Sequence, residues 1–422
     1  MNRIQTIFIQ ALTAALQDKP CSIEGEITAA EWKELFSLAI EQKVLPLIYQ
    51  SVYSMPQYQK TGQEMDGEAG ERVLRHVMLQ MQQTFEFLQL YKRLDERGLQ
   101  PVVVKGIVCR RLYPQPDYRP SGDEDLLIPQ GSYDEYKKAL FEGGMELIQS
   151  GNEDTAYEVR YRSASGRLMV EVHRTLFSEE DGVLYEGLND LFSHAFSDSI
   201  LVEEQGVRIR TLNESQHLLY LLLHAYKHFL SGGFGIRQLC DMVMFANACG
   251  DRIDWDYVMA ACERVQAGIF AASLFRIGRE YLILDPEKAC YPESWRSREV
   301  DPEDLLLDVL QAGIYGSAEL SRKHSSSITI GAVEASRAKG KGSGRASGLL
   351  KAVFPSAEAL SSRYPYLKEK KYLLPMAWLS RIFSYTKEIR NADEGDSIKD
   401  ALRIGNERVG LMKKYGIIRK HS

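Results

Sequence analysis

In the stretch SGDEDLLIP, Asp123 and Asp125 are carboxylates separated by one residue and followed at once by an apolar run. On a strand alternate side chains share a face, so these two aspartates point the same way while Glu124 points oppositely. Carboxylates so placed can share divalent cations, and Mg2+ is a hard ion held by one or two carboxylates together with substrate phosphates. The pattern therefore suits metal-assisted phosphoryl or nucleotidyl transfer. An acidic pair of this kind also occurs in solvated turns after glycine, which is the ordinary reading of the motif alone. Its context argues otherwise, because the acids lead straight into Leu126, Leu127 and Ile128, where an unpaired charge is costly.

Other residues of matching chemistry lie on both sides. Upstream, PVVV reads as a buried strand ended by Gly106, which permits close approach of a ligand, with Lys105 beside it as a phosphate contact or a plain surface lysine. Downstream, RLMVEVHR puts Glu171 and His173 on one strand face, and Glu171 would complete a metal triad with Asp123 and Asp125. Arg119 in the intervening loop either steadies phosphates or braces the loop. Farther on, His217, Leu221, His224 and His228 share one helix face with Lys227 adjacent; they form either a hydrogen-bonded core or the polar wall of an acceptor pocket. His224 and His228 have zinc-ligand spacing, but the HExxH glutamate is missing and no further ligand is evident. Arg237 and Asp241, four apart on the next helix, are placed to pair, and a structural ion pair is their expected role.

These side chains must be positioned by a chain whose length, 422 residues, is a prior of roughly three domains. Residues 1–98 read as helices. One of them has a capping box from Thr28 to Glu31 and turns Trp32, Leu35, Phe36, Ala39 and Ile40 inward, and a long helix over 71–97 leads to the first strand. The first helix is amphipathic through Ile4, Phe8, Leu12 and Ala15, and Gln5 and Gln10 argue against a signal peptide. From 99 to 212 the period changes to strands with one helix at SYDEYKKALFEGG, which makes an α+β core. A helical domain follows over 213–320, opened by Asn213 and Gln216. A Ser, Gly and Lys/Arg-rich linker or loop is expected over 321–348, and a C-terminal helical segment over 349–422, whose aromatic stripe YLLPMAWLSRIF is expected to pack on its own domain.

A formal net charge of −6 argues against a nucleic-acid coat. No apolar run approaches the roughly 20 residues that span a bilayer. The six cysteines show no metal-site spacing and read as reduced thiols of a cytoplasmic protein.

In order, VVVKG, LYPQPDYRPSGDEDLLIP and VEVHRTLF resemble the bacterial family of uncharacterised nucleotidyltransferases within the DNA polymerase β-like superfamily, and HAYKHFLSGGFGIRQLCDM extends the resemblance. It implies a small mixed-sheet nucleotidyltransferase core flanked by N- and C-terminal helical domains. By the same resemblance Asp123 and Asp125 hold the metals, Glu171 matches the third acid, and Lys105 and Gly106 meet the nucleotide phosphates. Ile107 departs from the superfamily, where a second small or hydroxyl residue is usual. The implied activity is Mg2+- or Mn2+-dependent transfer of NMP from an NTP, ATP among them, to a hydroxyl of a small-molecule, sugar-like or protein acceptor. His173, His224, Lys227, His228, Arg237 and Asp241 are candidates for the acceptor pocket. The alternative is a catalytically inactive nucleotide-binding or scaffolding protein. Polymerisation on nucleic acid sits poorly with the acidic balance and the lack of a basic-aromatic track.

Overall fold

The protein is described from a computed structural model over residues 1–61, 63–148, 156–178, 187–312, 329–330, 332–333, 364–368, 370–378, 380 and 398–418. It is an α+β fold in which a seven-stranded mixed sheet is flanked by helices. Helices α1 (Arg3–Leu16), α2 (Ala29–Glu41), α3 (Leu45–Val52), α4 (Pro56–Thr61) and α5 (Gln63–Glu96) precede the sheet. The Thr28–Glu31 capping box forms reciprocally and starts α2. Trp32, Leu35, Phe36 and Ala39 are buried as expected, whereas Ile40 is exposed because it lies at the solvent edge of the helix's apolar stripe. Ile4, Phe8, Leu12 and Ala15 bury the inner face of α1.

The strands are β1 (Val102–Val104), β2 (Glu124–Leu127), β3 (Met145–Leu147), β4 (Glu158–Ser163), β5 (Met169–His173), β6 (Ile200–Glu204) and β7 (Val207–Thr211). Their order is β3-β4-β5-β2-β1-β7-β6, with β2–β5 and β1–β7 parallel and the other neighbours antiparallel. Between β1 and β2 lies α6 (Gly106–Arg110), and between β2 and β3 lies α7 (Tyr133–Glu142). The period of two divides the sheet's faces. Val103, Leu126, Val170 and Val172 pack with Phe87, Leu90 and Leu94 of α5 and with Tyr136 and Leu140 of α7. Val102, Val104 and Leu127 instead join the larger helical core.

That core is built from α8 (Glu214–Leu230), α9 (Ile236–Cys249), α10 (Trp255–Arg264), α11 (Gly268–Tyr281), α12 (Pro286–Ala289), α13 (Glu293–Arg296) and α14 (Glu303–Ala312) packed on α1–α3. The side chain of Asn213 caps α8 by accepting the Gln216 amide. Helix α15 (Ile398–Lys414) docks through buried Arg408, which donates to the Ser231 carbonyl at 2.6 Å and to that of Phe229, satisfying carbonyls at the α8 C-terminus. Of the expected linker, only 329–330 and 332–333 fall among the described residues, and these are helical. No helix among the described residues is long and apolar enough to cross a membrane.

The loop between α6 and β2 is held by a buried clamp. Arg119 donates to Asp241 through Nε at 2.7 Å and Nη2 at 2.6 Å, and the Tyr113 hydroxyl donates to the same carboxylate at 2.8 Å. The expected pair of Arg237 with Asp241 does not form, because Asp241 is already taken by a partner 122 positions away and Arg237 turns to the Pro120 carbonyl. Burial works against the Asp241 charge, and Arg119 more than offsets it, so the carboxyl titrates below the usual aspartate range. Replacing Asp241 by Asn leaves a guanidinium buried and half-paired. We expect a stability loss of about 3 to 5 kcal/mol, read as a lower urea midpoint at unchanged slope; an unchanged midpoint contradicts the clamp.

Candidate active site

Register across the sheet assembles the charged cluster. Arg160 of β4 stands opposite Glu171 of β5, and Glu171 stands opposite Asp125 of β2, which in turn faces Val104 at the end of β1. Because these positions share parity, their side chains rise from one face, the one covered by α8 and α9. His173, two residues beyond Glu171, joins them. The ligand atoms of Asp125, Glu171 and His173 all lie within 4.8 Å of one another.

Each charge in the cluster has a counterpart. Asp125 Oδ2 accepts from Lys105 Nζ at 2.9 Å, and Asp125 Oδ1 accepts from His173 Nε2 at 2.9 Å. Glu171 Oε1 meets Arg160 Nε at 2.8 Å, and its other oxygen lies 3.6 Å from His173 Nε2. Burial opposes ionisation of Asp125, yet Lys105 and His173 carry its carboxyl far below the usual aspartate range. Burial raises the Glu171 carboxyl, His173 lowers it, and the neighbouring acids Asp125 and Asp123 leave it above the ordinary value. Burial would depress His173, but hydrogen bonds to Asp125 and Glu171 raise it to about 9, so it stands as an imidazolium counter-ion at neutral pH.

The strand starts one residue later than the acidic motif suggests. Asp123 lies just before β2, half-buried at the mouth of the cleft, with its carbonyl accepting from Ser121 Oγ at 3.1 Å. Glu124 turns to the opposite face as expected, where it meets Arg110 Nη2 at 2.9 Å and accepts the Ile107 amide at 2.8 Å. This explains Gly106: a Cβ there would fall 1.9 Å from Glu124 Oε2, and the residue has φ +32. Gly106 thus serves the packing of α6 on β2. Lys105 itself has φ 54 and ψ −123, a turn conformation that normally selects glycine. A strained lysine retained there delivers its ammonium to Asp125.

Helix α8 closes the cluster from above. Lys105 Nζ lies over the Tyr220 ring, 5.8 Å from its centroid. His217, fully buried, links the strand ends: Thr211 Oγ1 donates to the Val103 carbonyl at 2.7 Å, so it must accept from His217 Nδ1 at 3.2 Å, which leaves Nε2 to accept the Lys105 amide at 3.3 Å. His224 and His228 place their Nε2 atoms 3.1 Å apart, one donating and one accepting. Burial, with Lys105 next for His224 and Lys227 next for His228, holds both imidazoles well below the usual histidine range. Lys227 turns to the Tyr157 hydroxyl at 3.3 Å.

Lys105, Gly106, Arg119, Asp123, Asp125, His224, Arg237 and Asp241 line one cleft with Ser121, Leu221 and Gln238. The structure therefore brings most of the expected residues together, and sets Lys227 aside against Tyr157. Arg119 reaches this cleft already committed to Asp241, the bracing role of its two open readings. The sequence reading passed over Arg160 and Tyr220. Arg160 was accessible in principle, since EVRYRS and MVEVH form adjacent antiparallel strands that fix its place opposite Glu171.

The donor set fits a hard divalent ion. Asp125 offers a buried and Glu171 a half-buried carboxylate side by side, and their charges are balanced by Lys105, Arg160 and His173 rather than by the backbone. His173 becomes a ligand only on losing its proton.

A sheet that sets paired carboxylates beneath a cleft ringed with cations is a frame for phosphate chemistry. Residues 28–282 match the protein family described as uncharacterised nucleotidyltransferase, and the chain belongs to that family of enzymes. No curated protein and no solved structure matches the chain.

Burial lowers the His217 imidazole to about 3, outweighing the opposing pull of Asp241. Its folded pKa lies below the unfolded value near 6.5, so the neutral form stabilises the fold. That stability is complete above about pH 6.5 and falls as the pH drops toward 3. We expect the urea midpoint to decrease from pH 7.5 to pH 5, with about 2 kcal/mol of the loss due to His217. His217→Asn should be less stable at pH 7.5 and show a shallower decline; an equally steep decline assigns the pH dependence elsewhere.

Proposed function

We propose that the protein transfers NMP from an NTP to a hydroxyl of a small-molecule, sugar-like or protein acceptor and releases pyrophosphate, as a DNA polymerase β-like nucleotidyltransferase. The observation that carries this reading is the convergence of buried Asp125 and His173 with half-buried Glu171 beneath a cation-rimmed cleft in a chain of this family. On this reading residues 99–212 are the catalytic unit, and the helical domain over 213–320 supplies the acceptor wall through His224. The protein works in the cytoplasm, where its thiols stay reduced.

Asp125 and Glu171, with Asp123 at the mouth, would hold Mg2+ or Mn2+. When bound, such an ion supplies charge neutralisation at the transferring phosphorus and lowers the barrier to in-line displacement. The chain's own groups divide the remaining tasks. Lys105 sits at the rim with most of its length buried, placed to move its ammonium from Asp125 to a phosphate oxygen. Glu171, whose carboxyl burial pushes upward, takes the proton of the acceptor hydroxyl. Arg119 and Arg237 fix the loop that carries Asp123, so that the carboxylates keep one geometry as substrate enters.

A second reading, an inactive nucleotide-binding or scaffolding protein, is favoured by one contact. An ammonium already pairs with Asp125, and a permanent internal cation would make a metal unnecessary there. Turnover separates the two. Pyrophosphate release and α-phosphate label transfer are to be followed with each NTP and either ion in cell extract. Asp125→Asn and Asp123→Asn should reduce both by about 100-fold or more. Equal signals from the wild type and from folded variants would favour the binding role.

A further inference from the structure

We propose that Lys43, His76 and Arg237 form an anion subsite that receives the terminal phosphates of a polyphosphate ligand beside Asp123. This deepens the nucleotidyltransferase reading and rests on it for the identity of the polyphosphate. The three side chains come from separate elements: the turn after α2, the middle of α5 and the first turn of α9.

Hydrogen bonds bring these elements to one place. Gln42 Oε1 accepts the Ile236 amide at 2.8 Å, and Gln42 Nε2 donates to the Val309 and Leu310 carbonyls at 3.1 and 2.9 Å. That buried amide clamps the end of α2 to the start of α9, and Lys43 and Arg237, the residues that follow, lie close enough for the charge of Arg237 to act on Lys43. Arg237 Nη1 donates to the Pro120 carbonyl. One residue on, the Ser121 amide donates to Gln80 Oε1 at 2.8 Å, one turn along α5 from His76. The loop from Pro120 to Asp123 is thereby held between α5 and α9, with the basic side chains around it.

Three features mark the cluster as built for a ligand. Arg237 Nε and His76 Nε2 are both buried without a hydrogen-bond partner among the described residues, although buried polar atoms are nearly always paired. Lys43 has φ 49 at the end of α2, where its amide donates to the Ile40 carbonyl at 3.0 Å and the Val44 amide to that of Ala39 at 2.8 Å. This is the helix-terminating conformation that ordinarily selects glycine, so a lysine there carries strain for the sake of its side chain. Finally, the cluster is adjacent to the cleft in which Arg237 already faces Lys105, Asp123 and Asp125. Desolvation first and the Arg237 charge second lower Lys43, an exposed residue, and desolvation, Arg237 and Lys43 lower His76. Asp123 opposes this for Lys43. An incoming phosphate oxygen relieves the repulsion and accepts from Arg237 Nε and from His76 Nε2 in the tautomer or charge state that protonates it.

The test uses the full chain with inorganic tripolyphosphate in chelator, followed by calorimetry. Wild type should bind, and Lys43→Gly and His76→Gln should each bind about tenfold more weakly. Lys43→Gly is the safeguard against misfolding, since glycine suits that backbone and the variant should be as stable as wild type or more so. Unchanged affinity in both folded variants, or no binding by wild type, overturns the subsite. ATP added in competition identifies the source of the phosphates: displacement assigns the subsite to the nucleotide's tail, and simultaneous binding assigns it to a phosphorylated acceptor. Because the assay contains no metal and no turnover, absence of nucleotidyl transfer would sink the catalytic reading while leaving this result standing.

Discussion

Burying two carboxylates side by side is the constraint to which the rest of the site answers. Asp125 and Glu171 face one another on parallel strands in surroundings that exclude most solvent, and such charges persist only when paired and hydrogen-bonded. Arg160, His173 and Lys105 provide that pairing from three directions. The neighbouring backbone follows from it. Lys105 takes a glycine-like conformation to reach Asp125, its amide is held by His217, and Gly106 cedes the volume of a side chain to Glu124.

The same arrangement distinguishes fixed from exchangeable charges. Arg110–Glu124 and Arg119–Asp241 are fully buried ion pairs, and breaking one leaves its partner stranded, so they hold α6 and the following loop rigidly. Lys105 and Arg160 approach their carboxylates from the rim on partly solvated side chains. Rigid supports beneath exchangeable cations are what a site needs if it is to receive a divalent ion and phosphates without losing its geometry.

Much of this was legible in local sequence. Alternation placed Glu171 with His173 and Asp125 with Asp123 on common faces, although Asp123 lies just before the strand, and the boxes at Thr28 and Asn213 marked helix starts because capping involves only the first turn. Strand β3 is no longer than β1, but its Met-Glu-Leu lacks the β-branched residues that mark β1 as a strand. Asp241 illustrates the deeper difficulty: spacing along its helix suggested Arg237, while tertiary packing supplied Arg119 from far away in the chain. Lys43 and His76 gave no signal at all, because only the folding of α2, α5 and α9 onto one loop brings them beside Asp123.

The central claim is that the Asp125 and Glu171 carboxylates form a divalent-cation site. Anomalous diffraction from crystals of the protein soaked in Mn2+ examines it directly. The account predicts a peak in contact with both carboxylates, with Lys105 Nζ displaced from Asp125. Well-diffracting soaked crystals with no peak there, and Lys105 still bonded to Asp125, would contradict it.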